Sequence, residues 1–482
     1  MNRLLRILMP PLALLLATLP VVAYDYDFEE NGIYYLITSD DDLTCAVAPG
    51  NKAYAGNVVI PATATFEGTT YKVTAIAAKA FKDCKRLKSI DLGNVTKIGS
   101  NAFEYCTSLT TIDLKNVTEL GKCAFKYCTS LTTIDLKNVT GLGECAFIYC
   151  ESLESIDLGK VSTLSGTFYK CTSLKEIKGT QRLTKLSYGN SGSWTDGING
   201  NCGAFEYCSS LTSIDLPNVE LAGYHSLRGT SLTTLILPNC TSIDEGAFWS
   251  ETLTKLAIPK AEGYYIENSL STTLAELILG ENAHFTSGVI DYIFTGMRKL
   301  ICLSAKPNPY KDHFPSKCFP NADLYVPKGS AAAYKAEYPS SFQNVYEFDP
   351  EVKMSESAVT IRLDGRYQLS AMALPYYDST NIQWESSNPS IADVSSKGLV
   401  FGFSEGNATI TAKYGDATAT CAVKVSKTES VDDVKVDTAT EYDVYNLQGI
   451  MVRSKCDKAD IYNLPGGIYI LVSPQGRTKV RI

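Results

Sequence analysis

Histidine is nearly missing from this chain of 482 residues: His225, His284 and His313 are the only three, far apart and without HxxxH or HExxH spacing. A zinc hydrolase or a histidine-based proton-transfer site has little to build on, and each His reads as a surface or loop residue. No Gly-x-Ser-x-Gly elbow, phosphate-binding loop or paired-carboxylate motif is present, so the expectation is a protein that is not an enzyme and needs no cofactor. Excess positive charge is also missing. With 44 Lys and Arg against 52 Asp and Glu, the net charge of −8 argues against nucleic acid or an anionic membrane as the main partner. Beyond the N-terminus no stretch is apolar enough to span a bilayer, so no transmembrane segment is expected in the mature chain.

The one apolar run, from Leu12 to Val22, follows Arg3 and Arg6 and ends in Val-Val-Ala before the acidic YDYDFEE. Pro10, Pro11 and Pro20 interrupt it and it falls short of the ~20 residues that a span needs, so residues 1–23 read as a cleavable secretory signal cut after Ala23. No Cys sits just after that point, which argues against a lipid anchor.

What the chain has instead is a repeat. FKDCKRLKSIDLGNVTKIGSNA begins at Phe81, FEYCTSLTTIDLKNVTELGKCA at Phe103, FKYCTSLTTIDLKNVTGLGECA at Phe125 and FIYCESLESIDLGKVSTLSGT at Phe147, a step of 22 residues. A fixed period of this length, with Leu, Ile and Leu at offsets of three and two, predicts a leucine-rich α/β solenoid of about ten coils, each adding one short strand to a parallel ribbon. In SLTTIDL, alternation puts Ile112 and Leu114 inward, Thr111 and Asp113 outward. Residues 24–80, with alternating apolar positions and a Gly-Thr-Thr turn, read as an N-terminal cap containing a hairpin; 81–318 are the solenoid; 319–348, with a helix started by Ser330, are the C-terminal cap. SYGNSGSWTDGINGNC, around Trp194, breaks the period as an insertion loop, and Trp194 becomes a candidate contact residue.

The IxxxAFxxCxxLxxIxL repeats, the preceding GTTYKVTAI and the closing LYVPKGSAAAYKAE resemble the BspA-type bacterial surface leucine-rich repeat family over residues 24–348. That resemblance implies a secreted or surface protein on the cell exterior. It also implies adhesion to host matrix or surface proteins, with glycan capture or an envelope-structural role as the alternative.

Residues 349–426 lose the period and show about seven short alternating runs, which predict a β-sandwich with Trp384 at its centre. SSNPSIADVSSKGLVFGFSEGNATITAKYGD is similar to group 2 bacterial Ig-like domains, which implies a spacer or auxiliary adhesion module. Residues 427–440 form a polar linker. In 441–482, VYNLQGIMV, LPGGIYIL and KVRI resemble a type IX secretion sorting domain, although Gly449-Ile450 stands where that family has Gly-Arg; a plain β-hairpin appendage is the alternative. Asp378-Ser379-Thr380 and Asp437-Thr438-Ala439 resemble bacterial O-glycosylation triplets.

Cys84, Cys106, Cys128, Cys150, Cys171 and Cys208 each stand three residues after the opening aromatic and are expected as an inward column of thiols, a line unsuited to tetrahedral zinc. Cys123 and Cys145, two residues before the Phe, are expected to face outward and are the disulfide candidates. The outward strand column is read as Asp91, Asp113, Asp135, Asp157, Lys178, Asp215, Ile236, Ala257, Ile278 and Ser304. Its acidic half is expected either to meet basic partner groups or to keep the sheet soluble. Its apolar half, Ile236, Ala257 and Ile278, is expected to be a contact row or a face covered by another domain.

Overall fold

The structure is a computed structural model that describes residues 26–190, 201–262, 273–280, 296–307, 319 and 321–427, with four strands beyond them. Two compact units divide the chain, Met1–Glu347 and Phe348–Ile482. Residues 1–23 with Ala23, the Trp194 loop and most of the 427–440 linker lie outside the described residues.

The first unit is a β-solenoid, several of whose coils carry two short strands, not one. The first ribbon is built from the SLTTIDL positions. Thr133–Asp135, Ser155–Asp157 and Glu176–Lys178 pair in parallel, and further on Thr234–Ile236, Lys255–Ile258, Glu276–Leu279, Lys299–Cys302 and Asp323–Pro327 do the same. The second ribbon uses the Glu-Leu-Gly positions: Lys97–Ile98, Glu119–Leu120 and Gly141–Leu142, then Thr163–Ser165, Lys185–Ser187, Leu221–Ala222 and Ser242–Ile243. Pairing in the regular coils advances by one repeat, Ile134 opposite Ile156 and Ile98 opposite Leu120, so equivalent side chains stack. Helix is confined, among the described residues, to Ala331–Glu337 and the 3-10 turn Thr180–Arg182.

Stacking in register produces columns. The rings of Phe81, Phe103, Phe125, Phe147, Phe168 and Phe205 lie 5.0 to 5.7 Å apart and within 12° of parallel, all wholly buried. A coil cannot cover such a ring alone; the neighbouring coil does so, and apolar burial is worth roughly 25 cal/mol per Å². The Cys column is buried beside it. From Cys106 onward each thiol of the column donates to the carbonyl of a Phe in the preceding coil: Cys106 to Phe81, Cys128 to Phe103, Cys150 to Phe125, Cys171 to Phe147 and Cys208 to Phe168, at 3.1 to 3.2 Å. Cysteine is small, apolar and a weak donor, so it fills the column and helps satisfy a buried carbonyl. Gly99, Gly121 and Gly143 mark a recurring close backbone approach: a Cβ at any of them would stand 2.3 to 2.6 Å from the preceding coil's main chain. No other residue fits there.

Both ends of the ribbons are continued. The hairpin Thr63–Phe66 and Thr69–Ile76 turns at Glu67 and Gly68, both with positive φ, and Thr69–Ile76 pairs in parallel with Lys97–Ile98. Gly56–Val59 pairs with Leu87–Asp91, so the open edge of each ribbon is covered. At the other end Tyr334 of the helix and Tyr338 at its end are buried against the core. Ser330 stands at the helix start but makes no side-chain cap. Glu347 takes that role, its carboxylate accepting from Ala331 N at 2.9 Å, and the amides of Ala331, Gly329 and Ser330 hold the Glu347 carboxyl below its usual range.

The second unit is β-rich. Ala358–Arg362, Ala417–Ser426, Gly406–Tyr414 and Gln383–Ser386 form one sheet, and Arg366–Gln368, Leu399–Gly402 and Ala392–Val394 another. Leu369, Val400, Ile410 and Cys421 are fully buried in its core. Trp384 is only half-buried: it packs on the cores around Ile410 and around Ala373. The centre is aliphatic because Trp384 lies where two small cores meet. At the C-terminus Met451–Cys456, Tyr442–Asn446, Ile468–Ser473 and Gly476–Arg481 form an antiparallel four-stranded sheet in that order, larger than a hairpin.

Candidate binding surface

The acidic column stands at the ends of the first-ribbon strands, and one carboxylate oxygen of Asp91, Asp113, Asp135 and Asp157 has a local task. Asp91 Oδ1 accepts from Gly93 N at 3.0 Å, Asp113 from Lys115 N at 2.9 Å, Asp135 from Lys137 N at 2.9 Å and Asp157 from Gly159 N at 3.1 Å. These are Asx turns that bend the chain off the strand. The hydrogen bond from Lys115 N, helped by the Lys115 ammonium and opposed by slight burial, holds the Asp113 carboxyl below its usual value.

The second oxygen is free for ions. Lys115 Nζ lies 3.2 Å from Asp113 Oδ2, Lys137 Nζ 3.3 Å from Asp135 Oδ2 and 3.7 Å from Asp157 Oδ2. The side chains of Asp113 and Asp135 stay 62% and 59% exposed, so these pairs are screened, weak and exchangeable. Asp215 is also exposed, whereas Asp157 is half-buried. Asp135 faces Asp157 across the ribbon, and Asp157 faces Lys178.

The apolar half of the column is not an exposed row. Ala257 and Ile278 are buried, at 0% and 1%, and only Ile236 keeps partial exposure. The register also shows that Ile301, not Ser304, continues the column after Ile278, and it too is buried; Tyr325 follows. Both faces of these strands are covered, as their uninterrupted runs Leu256-Ala257-Ile258, Leu277-Ile278-Leu279 and Leu300-Ile301-Cys302 indicate. Solvent meets instead the row two residues earlier, where Glu276 sits 3.1 Å from Lys255 and 4.0 Å from Lys299.

Cys123 and Cys145 also depart from expectation. They are buried, at 1% and 0%, and point into a second small core with Ile148, Tyr149, Tyr169 and Cys202. Their position has positive φ, as Asn101 does in the coil before, and this left-handed turn carries the side chain inward under the tyrosines. Above them run stacked Tyr105, Tyr127 and Tyr149 at 4.6 and 4.3 Å. His225 is no plain loop residue: its Nδ1 is 3.1 Å from the buried carboxylate of Glu206, and Arg228 closes the cluster while stacking at 4.5 Å on the half-exposed Trp249. His284 and His313 lie outside the described residues. Among the described residues no group of three His, Cys, Asp or Glu is placed to hold a metal ion, and no helix is long and apolar enough to cross a membrane.

An asparagine column escaped the sequence reading. Asn116 Nδ2 donates to Gly93 O at 2.9 Å, Asn138 to Lys115 O at 2.8 Å and Asn218 to Gln181 O at 2.7 Å, each tying the turn after the Asp to the coil before. The signal was present, since Asn recurs three residues after the Asp in LKNV and LPN, but it looks like ordinary turn composition.

The geometry defines a leucine-rich β-solenoid followed by a β-sandwich, and comparison with known proteins agrees. The model of the BspA type leucine-rich repeat region matches residues 74–190 and 200–306 in six copies, and that of the group 2 bacterial Ig-like domain matches 350–425. The chain carries BspA-type leucine-rich repeats followed by a group 2 bacterial Ig-like domain, and neither model is that of an enzyme family. Among solved structures, a leucine-rich repeat protein from Bacteroides ovatus is 20% identical, covering 67% of this chain and 100% of its own at a TM-score of 0.41. A leucine rich cell surface protein from Faecalibacterium prausnitzii is 19% identical over 67% and 94%, with a TM-score of 0.34. The pneumococcal vaccine antigen PcpA is 15% identical over 67% and 98%, with a TM-score of 0.33. No curated protein matches the chain.

Proposed function

We propose that this is a non-catalytic protein of the bacterial cell exterior that adheres to host matrix or surface proteins through the acidic stretch of its first ribbon, Asp113, Asp135 and Asp157. One observation carries the reading. The Asx turns need a single oxygen, which an Asn would supply as well, yet these three coils each keep a carboxylate whose second oxygen is exposed or paired only with an exposed Lys. Successive coils set these groups ~4.8 Å apart on a rigid scaffold, a spacing that suits a basic protein surface. Weak internal pairs with Lys115 and Lys137 exchange for partner Lys or Arg at little cost.

The Ig-like domain then acts as a spacer, residues 1–23 direct export, and the C-terminal sheet serves as a sorting or attachment segment. The test is binding of the full chain to immobilised matrix proteins and glycans across a salt series. Saturable binding to a protein that weakens steeply with salt supports the reading. Binding confined to glycans, or indifferent to salt, turns it toward the glycan-capture alternative.

A further inference from the structure

Three thiols stand apart from the column that bonds to the Phe carbonyls, and they meet one another. Cys145 Sγ lies 3.3 Å from Cys202 Sγ, although the two residues are 57 apart in sequence. Cys145 also touches Cys123: hydrogen bonding with Cys123 lowers its pKa, hydrogen bonding with Cys202 and burial raise it, and the net effect holds the thiol well above its ordinary value. Cys145 is thus the middle sulfur of three.

The surroundings are shaped for the Cys145 and Cys202 sulfurs. Gly166 occupies the column position of Cys123 and Cys145 in the next coil, two residues before Phe168, and has no side chain to fill it. Cys202 Sγ takes that space: a Cβ on Gly166 would stand 2.6 Å from it. Gly189 opens room on the other side, since a Cβ there would stand 2.8 Å from Cys145 Sγ. Gly189 and Cys202 are directly opposed in the antiparallel pair that flanks residues 191–200.

Direction of approach separates the two pairings open to Cys145. Cys123 and Cys145 occupy the same position in successive coils with the same left-handed backbone, so their Cα–Cβ bonds run side by side, a poor arrangement for a disulfide. Cys202 enters from an antiparallel segment and out of step by one residue, so its sulfur meets that of Cys145. We propose that Cys145 and Cys202 are joined by a disulfide in the exported protein, with Cys123 left as a buried thiol. The oxidant is a small-molecule or protein disulfide, RSSR. The thiolate of one cysteine attacks it, releasing one RS⁻ and leaving a mixed disulfide; the second thiolate then attacks the protein sulfur and releases the other RS⁻. The two thiol protons pass to the two RS⁻, giving one new protein disulfide and two RSH. Because both thiols are buried once the coils close, the exchange belongs to folding. The bond would fasten the base of the 191–200 segment to the coil of Cys145.

The test is peptide mapping of the full chain, folded with oxidised and reduced glutathione, alkylated in denaturant and digested without reduction. The expected result is a linked peptide containing Cys145 and Cys202, lighter by two hydrogens than the sum of the free peptides. That link persists in Cys123→Ser and disappears in Cys202→Ser. Full alkylation of every Cys in the folded wild-type chain, or a Cys123–Cys145 link in comparable yield, overturns the proposal. The wild-type map decides even where a variant does not fold.

Discussion

At the residue scale the solenoid is held by small side chains used many times. Cys128 is wholly buried and donates to Phe103 O, so Cys128→Ala removes volume and a donor together and is expected to cost about 1–2 kcal/mol. Cys128→Ser keeps a donor and should lose less; urea unfolding of the two variants measures the difference, and equal losses would mean the hydrogen bond contributes nothing. Asn138→Ala leaves Lys115 O without its 2.8 Å partner and should cost about 1 kcal/mol by the same assay. In the second unit burial works to raise the Asp378 pKa, but donors from the side chains and amides of Asn381 and Thr380 prevail and hold it below the usual carboxylate value. A group depressed in the folded state stabilises fully above its unfolded pKa, and that stability is lost as the pH falls through the folded value. Acid titration of unfolding should show a smaller loss in Asp378→Asn than in the wild type, because the contributions of Asp113 and Glu347 remain. Thr380 Oγ1, a hydroxyl of the glycosylation-like triplet Asp378-Ser379-Thr380, is the donor in one of these bonds.

The coil is the element, and its legibility followed the length of each signal. Phe81, Phe103, Phe125 and Phe147 announced the period because whole 22-residue sentences repeat, and their rings do stack. The second ribbon was not legible, because a two-residue strand such as Glu119–Leu120 is too short for alternation to register. Ala257 and Ile278 were misplaced for a related reason: period two assumes one solvated face, and these strands have none. Cys123 and Cys145 were turned outward by analogy with polar Asn101, whereas the left-handed backbone they share carries them inward. Because each coil touches only its neighbours, deletion of residues 125–146, one whole repeat, should leave a folded solenoid with somewhat lower stability. Deletion of half that length breaks the Phe and Cys columns and should abolish cooperative unfolding by circular dichroism. A folded half-repeat deletion would contradict the in-register stacking described here.

At the scale of the whole molecule, fold and function were legible to different depths. Inward residues are dictated by packing, so a BspA-type solenoid and an Ig-like domain could be read from Leu, Ile, Phe and Gly spacing. Outward residues are not dictated by packing, which is why Asp113 and Asp135 could be located in the sequence while no ligand follows from it. The turn role of these carboxylates also makes a clean experiment available. Asn in place of Asp keeps the Oδ1 acceptor for the Lys115 and Lys137 amides and removes only the charge. The measurement that tests the central claim most directly is therefore the affinity of the full chain for an immobilised matrix protein, wild type beside the triple variant Asp113→Asn, Asp135→Asn, Asp157→Asn. Unchanged thermal unfolding with binding weakened at least about tenfold is the predicted result, corresponding to ~1.4 kcal/mol of lost electrostatic complementarity. Equal affinity in the two proteins would show that the acidic ribbon keeps the sheet soluble and that adhesion, if it occurs, lies elsewhere on the molecule.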